Sequence, residues 1–155
     1  MNTESFDKGS DALQAGDYKA AVREFREALK SLEEHHALYS RVASYLGLAQ
    51  VLTSDLNGLL ICRDAASSET ADGDIFLNLA CAEWHIENRE RAVDAIMRGC
   101  RVDSGHEQLL RACKLLDSRR RSVLPFLPRH HFINRTVGRL LRRTPNEVTV
   151  HTLLY

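Results

Sequence analysis

The sequence predicts an all-α protein, and three observations support this fold class. The three prolines, Pro125, Pro128 and Pro145, lie in the last third of the 155 residues, so residues 1–122 lack the strongest helix breaker. Apolar residues within that stretch recur at the i, i+3, i+4, i+7 spacing of one-faced helices. No segment before residue 147 alternates at period two, and the short connections favour antiparallel helical hairpins.

Seven helices are predicted before residue 122. The clearest follows the turn at Gly16-Asp17, where Ala21, Phe25 and Ala28 lie on one apolar stripe. Ser54-Asp55 supplies an N-cap signal for a later helix. In chain order, the predicted helices span residues 4–15, 18–32, 37–53, 55–67, 74–87, 89–102 and 105–121.

The hairpins are also related to one another by an internal repeat. Aligning them on their turns brings Gly9, Gly47 and Ala80 of the first helices into register. Gly9 and Gly47 are farther apart in the chain than Gly47 and Ala80, so the first repeat is longer than the second. Small residues at such positions let two helices approach closely. The second helices align in three further sets: Ala21, Leu59 and Ala92; Phe25, Arg63 and Ile96; and Ala28, Ala66 and Gly99.

Gly16–Leu29 resembles the second helix of the tetratricopeptide repeat family, because Ala21 and Phe25 show that family's A-x3-F spacing. Leu46-Gly47 and Leu79-Ala80 resemble the L-G pair of its first helix. The resemblance covers about two-thirds of the chain. It implies a short right-handed α-solenoid of about three helix-turn-helix repeats with C-terminal capping helices.

The Pro125–Pro128 link and the arginine-rich composition after it divide the chain into a helical repeat domain over residues 1–122 and an Arg-rich helix and tail over residues 123–155, packed on the array or extending it. The sequence also departs from the family. Arg63 stands where an aromatic residue is usual, and no proline closes any repeat. A generic array of helical hairpins is therefore a competing interpretation.

In this family the first helices line a concave groove that binds peptide segments of partner proteins. The resemblance places three sets of residues there: Asp7, Ser10 and Gln14; Arg41, Tyr45 and Leu48; and Asn78, Cys81, Trp84 and His85. Asn78 matches an asparagine that holds the main chain of a bound peptide, and Trp84 is a candidate anchor for a partner side chain. The competing interpretations are an ordinary solvated helix face for the polar set and packing on the next helix for Trp84.

The sequence favours a non-catalytic protein without a cofactor. It contains no GxxxxGK[ST], GxGxxG, HExxH or GxSxG motif. Cys81 and His85 have the spacing of half a metal site, but no second pair lies near them, so no metal is expected. The four cysteines, Cys62, Cys81, Cys100 and Cys113, are expected to be buried and reduced.

The zero net charge, from 21 basic and 21 acidic residues, is an average over two unlike parts. Residues 1–114 carry 13 basic and 19 acidic side chains, a balance of −6, while residues 115–155 carry 8 and 2, a balance of +6. A basic patch is predicted at Arg119, Arg120, Arg121, Arg135, Arg139, Arg142 and Arg143.

Three functions for this basic part remain open: a cap on the array, a docking segment for an acidic partner or membrane surface, and a nucleic-acid contact. Residues 131–143 are predicted to form a helix, and residues 148–154 alternate like a strand.

Composition and the opening segment predict a cytoplasmic protein. With 44% hydrophobic and 27% charged residues, the chain can bury a core. No apolar run approaches the ~18 residues that a membrane span needs, and the polar, acidic start is unlike a signal peptide. We therefore expect an interaction module that binds a partner protein or peptide, with nucleic acid or an acidic membrane surface as the alternative and a homo-oligomer also open.

Overall fold

The computed structural model describes residues 3–33, 36–68, 71–116 and 149–154, and all of their regular secondary structure is helical. The helices are α1 Thr3–Gln14, α2 Tyr18–Lys30, α3 Tyr39–Leu52, α4 Asn57–Ser67, α5 Gly73–His85, α6 Arg89–Val102, α7 Glu107–Leu116 and α8 Val150–Leu154. The all-α prediction is confirmed for these residues, and the first seven helices lie close to their predicted ranges. The predicted helix over 131–143 lies outside the described residues.

The prediction of a strand-like segment over residues 148–154 is wrong, because its described part forms α8. Thr149 starts this helix, since its Oγ1 accepts a hydrogen bond from the backbone N–H of Thr152 at 3.3 Å. Val150, Leu153 and Leu154 also fit the i, i+3, i+4 spacing of a helix. A run this short fits both the helical period and the period of two that a strand shows, and packing decides which structure forms.

The three hairpins share one turn geometry. Gly16, Ser54 and Glu87 each follow the first helix of a hairpin and have positive φ angles of 80°, 69° and 63°. In each turn, the N–H of the next residue donates to the carbonyl five residues earlier at 2.9 Å, which is the hydrogen bond of a Schellman helix end. The turn positions have the same unequal spacing as Gly9, Gly47 and Ala80, so the backbone repeats in the register found in the sequence.

Small residues at the helix crossings explain how the hairpins close. A Cβ atom on Gly9 would lie 2.7 Å from the Phe25 ring, and one on Gly47 would lie 2.8 Å from Cys62 Sγ. The aligned positions of the second helices are buried, with the exception of Arg63. Helix α4 begins two residues later than predicted, because the Asp55 carboxylate accepts the N–H of Asn57 from outside the helix.

The helices form two layers. Helix α3 packs on α5, and α5 packs on α7, while Phe6 of α1 makes an edge-to-face contact with Tyr45 of α3. We call α1, α3, α5 and α7 the odd-helix layer. Helices α2, α4 and α6 form the other layer, since each packs on the odd helices before and after it in the chain.

Candidate functional site

The groove residues predicted from the sequence all lie on α1, α3 and α5 of the odd-helix layer, but they differ in exposure. We call the side of this layer that faces away from α2, α4 and α6 the odd-helix face. Asp7, Gln14 and His85 are exposed, and Ser10 is partly buried. These side chains are available to a partner.

Three of the predicted contact residues belong to the interior instead. Leu48, Asn78 and Cys81 are buried, so in this structure they offer a partner no surface. Asn78 Nδ2 donates to Ser44 Oγ at 2.9 Å, which joins α5 to α3. Asn78 Oδ1 has no hydrogen-bond partner among the described residues. The asparagine that the sequence places in the groove therefore lies between two helices.

Tyr45 also has a packing role at the α1 end of the layer. Its ring centroid lies 5.3 Å from that of Phe6 and 5.5 Å from that of Phe25. Phe6 and Phe25 are themselves 5.7 Å apart, so the three rings form one cluster that joins the first hairpin to α3. Such aromatic clusters stabilise a core through area burial and ring geometry.

Arg41 takes part in an ionic network at the start of α5. Its guanidinium makes two hydrogen bonds to the Asp72 carboxylate, at 2.6 and 3.1 Å, and lies 3.4 Å from Asp74. These hydrogen bonds raise the pKa of Arg41. Asp74 Oδ1 lies 2.9 Å from Nε2 of His106, whose other ring nitrogen accepts the N–H of Leu109. The network ties α3, α5 and the start of α7 together, and only Arg41 was predicted from sequence.

A second buried charge joins α5 to α4. Glu83 is only 2% exposed, and its Oε1 accepts from Arg63 Nε at 2.8 Å. Its Oε2 accepts from the Asn88 side chain at 3.0 Å, at the turn before α6. Arg63, which stands where the repeat usually has an aromatic residue, therefore forms an ion pair with a buried carboxylate. Sequence reasoning had no means of finding this partner, because it lies in the next hairpin.

Helix α5 is the most enclosed helix of the odd-helix layer, since its residues 75–83 are all buried. Asn78 reaches α3, Glu83 reaches α4, and Arg98 of α6 lies over the Phe76 ring at 5.3 Å.

Trp84 lies beside the following helix, since the Arg89 guanidinium of α6 lies 5.3 Å from the centre of its ring. This contact supports the competing interpretation that Trp84 packs on the next helix.

Helix α8 packs on both α5 and α7. Leu153 and Leu154 of α8 are 1% and 9% exposed, and both join the main core cluster. The sequence signal for this docking is the spacing of Val150, Leu153 and Leu154.

The prediction that all four cysteines are buried is correct for two of them. Cys62 and Cys81 are buried, whereas Cys100 and Cys113 are partly exposed; all four are free thiols. Burial raises the pKa of Cys62 to about 12 and raises that of Cys81 as well. Burial and contact with the Cys113 thiol also raise the pKa of Cys100. Burial disfavours a thiolate, so these residues are not activated nucleophiles.

A further concave surface lies outside the odd-helix face. A cleft of about 950 Å³ between α2, α3 and α4 is lined by Leu29, Tyr39, Leu46, Leu60 and Arg63, among others. Leu60 is 63% exposed, which makes this cleft the natural comparison surface in binding experiments.

Within the part of the chain that the structure describes, no group of three His, Cys, Asp or Glu residues could hold a metal ion. None of the described helices is both long enough and apolar enough to cross a membrane. The basic patch, Arg119, Arg120, Arg121, Arg135, Arg139, Arg142 and Arg143, lies outside the described residues.

No family model matches the chain, and neither a curated protein nor a solved structure matches it.

Proposed function

We propose that this protein is a non-catalytic interaction module that binds a helical segment of a partner protein on the odd-helix face. One observation carries the proposal: α8 is remote in sequence from α5 and α7, yet packs its apolar side on both. A surface that accepts one short amphipathic helix has the shape and chemistry for another.

The proposed mechanism is preorganisation. The odd-helix layer is held by the Arg41 and Glu83 ion-pair networks and by the Phe6, Phe25 and Tyr45 rings. A surface held in this way loses little conformational freedom when a partner binds, so more of the contact energy appears as affinity.

We further propose that the three hairpins form a right-handed solenoid of tetratricopeptide type and that the protein acts in the cytoplasm. The shared turn geometry of Gly16, Ser54 and Glu87 supports a repeat. The paired Arg63 and the buried Asn78 remain departures from that family's pattern.

A peptide-display selection against the full-length chain tests the proposed function. Selected peptides should lose about tenfold or more in affinity when His85, exposed at the end of α5, is changed to Ala, whereas Gln14→Ala on α1, at the other end of the odd-helix layer, should have little effect. Leu60→Ser in the α2–α4 cleft and Met97→Ser on α6 are matched exposed controls. If the control substitutions abolish binding while His85→Ala leaves it unchanged, the α5 end of the odd-helix face is not the site.

A second proposal concerns residues 115–155, whose charge balance of +6 favours an anionic partner. Replacing Arg139, Arg142 and Arg143 by Gln in the full-length chain should weaken binding to single-stranded DNA or to acidic vesicles. It should also reduce the dependence of binding on salt concentration. Wild-type protein that shows no salt-sensitive binding to either probe would contradict this proposal.

A further inference from the structure

Helix α8 has the features of a docked ligand as well as those of a structural element. Its apolar residues, Val150, Leu153 and Leu154, lie on one side, while His151 and Thr152 are exposed. Thr149 closes the first turn by hydrogen bonding to Thr152. The helix is five residues long, which is too short to be stable alone in water. It therefore depends on the site that it covers.

The docking site is apolar and comes from two elements. The first element is α7, on which α8 packs, and Leu153 and Leu154 of α8 belong to the main core cluster together with Leu109 and Ala112 of α7. The second element is α5, whose residues 75–83 are all buried and on which α8 also packs. Removal of α8 would expose apolar surface at this point of the odd-helix face, and such surface favours association with another apolar helix.

We infer that α8 is an intramolecular occupant of the partner site, and that the partner helix has the same chemistry. This inference rests on the proposed function and names its ligand: a short amphipathic helix with an apolar residue followed three and four positions later by two leucines. The partner helix binds when α8 leaves. Because α8 is covalently linked to the site, it competes at a high effective concentration, and the closed chain binds the partner weakly.

The charges of the chain favour this closed arrangement. Residues 1–114 have a balance of −6 and residues 115–155 a balance of +6, so the segment that carries α8 is attracted to the array. Salt screens such attraction. Raising the salt concentration should therefore favour release of α8 and strengthen binding of a competing helix.

The test measures binding of a fluorescein-labelled peptide of residues 146–155 to full-length protein. Wild-type protein should bind the peptide weakly, because α8 occupies the site. The variant Leu153→Asp/Leu154→Asp should release α8 and bind the peptide about tenfold or more tightly. Leu60→Ser, at an exposed residue of α4, is the control and should behave as wild type. A peptide carrying the two Asp substitutions should not bind either protein.

Equal affinity of the labelled peptide for wild-type protein and the double variant would overturn the inference. So would a folded double variant that fails to bind it. If that variant binds the display-selected peptides but not the α8 peptide, this inference fails while the proposed function stands.

A second measurement applies if the double variant does not fold. A protease recognition sequence inserted after Pro128 allows the folded chain to be cut, so that α8 is held only by its contacts. Labelled peptide should then replace the released fragment in the cut protein but not in the uncut protein. Loss of cooperative unfolding of the array on cutting would show that α8 is part of the fold and overturn the inference.

Discussion

The first and third hairpins have the same turn but differ in what surrounds their first helices. Helix α1 exposes Asp7, Lys8, Asp11 and Gln14, so its outer side faces water. Residues 75–83 of helix α5 are all buried, and α8 packs on this helix. The same hairpin backbone therefore gives a polar surface at the α1 end of the odd-helix layer and an apolar docking site near the α5 end. The difference comes from the side chains of α1 and α5.

The polar groups of the two helices differ in the same way. Lys8 and Glu4 of α1 form an ion pair exposed to solvent. Glu83 of α5 is buried against Arg63 and Asn88. A charge in the interior requires a partner, whereas a charge in water does not, so only the α5 end depends on its ion pairs.

The largest expected difference concerns thiol reactivity around α5. Because burial raises the pKa of Cys62 to about 12, its thiolate fraction at pH 8 is about 10³-fold below that of an ordinary thiol. Alkylation by iodoacetamide, followed by mass spectrometry, should therefore label Cys100 and Cys113 long before Cys62 and Cys81.

The pKa of Cys100 is also raised, so its labelling rate should keep rising as pH increases above the range in which an ordinary thiol is fully ionised. In guanidinium chloride, all four cysteines should react alike. Labelling of Cys62 or Cys81 in the folded protein at the rate of Cys100 would contradict the burial of α5.

Breaking the buried ion pair should produce the largest loss of stability. Arg63→Ala leaves the Glu83 carboxylate without its charged partner and should lower the free energy of unfolding by about 3 kcal/mol in urea titrations. Lys8→Ala, which breaks the exposed pair in α1, is the control and should have no measurable effect. The double variant Arg63→Met/Glu83→Leu should recover most of the loss. Equal effects of Arg63→Ala and Lys8→Ala would remove the distinction between the two ends.

Weakening the contact of α8 should have an intermediate effect. Leu153→Ala removes a side chain that is 1% exposed and should destabilise the docked helix by about 2 kcal/mol. Since α8 can open locally, hydrogen exchange should rise first in α8 and in the parts of α5 and α7 beneath it. Leu56→Ala, an exposed leucine before α4, is the control. Unchanged exchange in all three helices would show that Leu153 does not hold α8.

The turns should give the smallest effects and test whether the hairpins are equivalent. Ser54 and Glu87 have positive φ angles that glycine adopts more readily. Ser54→Gly and Glu87→Gly should each stabilise the protein by about 0.5 kcal/mol, whereas Gly16→Ala should destabilise it by about 1 kcal/mol. Thermal melts are sufficient to rank the three variants. The repeat would lose its support if the three turns responded in unrelated ways.

Much of the fold could be predicted because helix formation depends on residues that are close together in the sequence. The apolar stripe of α2 and the turn at Gly16 indicate a hairpin from neighbouring residues alone. The candidate site was less predictable, since burial depends on which helices meet. Asn78 and Trp84 both lie on α5, yet Asn78 is buried against Ser44 of α3 while Trp84 is half-buried beside Arg89 of α6. No local pattern separates these two environments.

The sequence by itself determined the all-α fold class, the ranges of the seven helices and the unequal spacing of the three hairpins. Each of these depends on residues close together in the chain. The tertiary structure alone decided that Arg63 pairs with Glu83, that Arg41 joins Asp72 and His106 in one network, and that residues 150–154 form a helix. These features join residues distant in sequence, and a short segment that fits both helix and strand takes the form that buries its leucines.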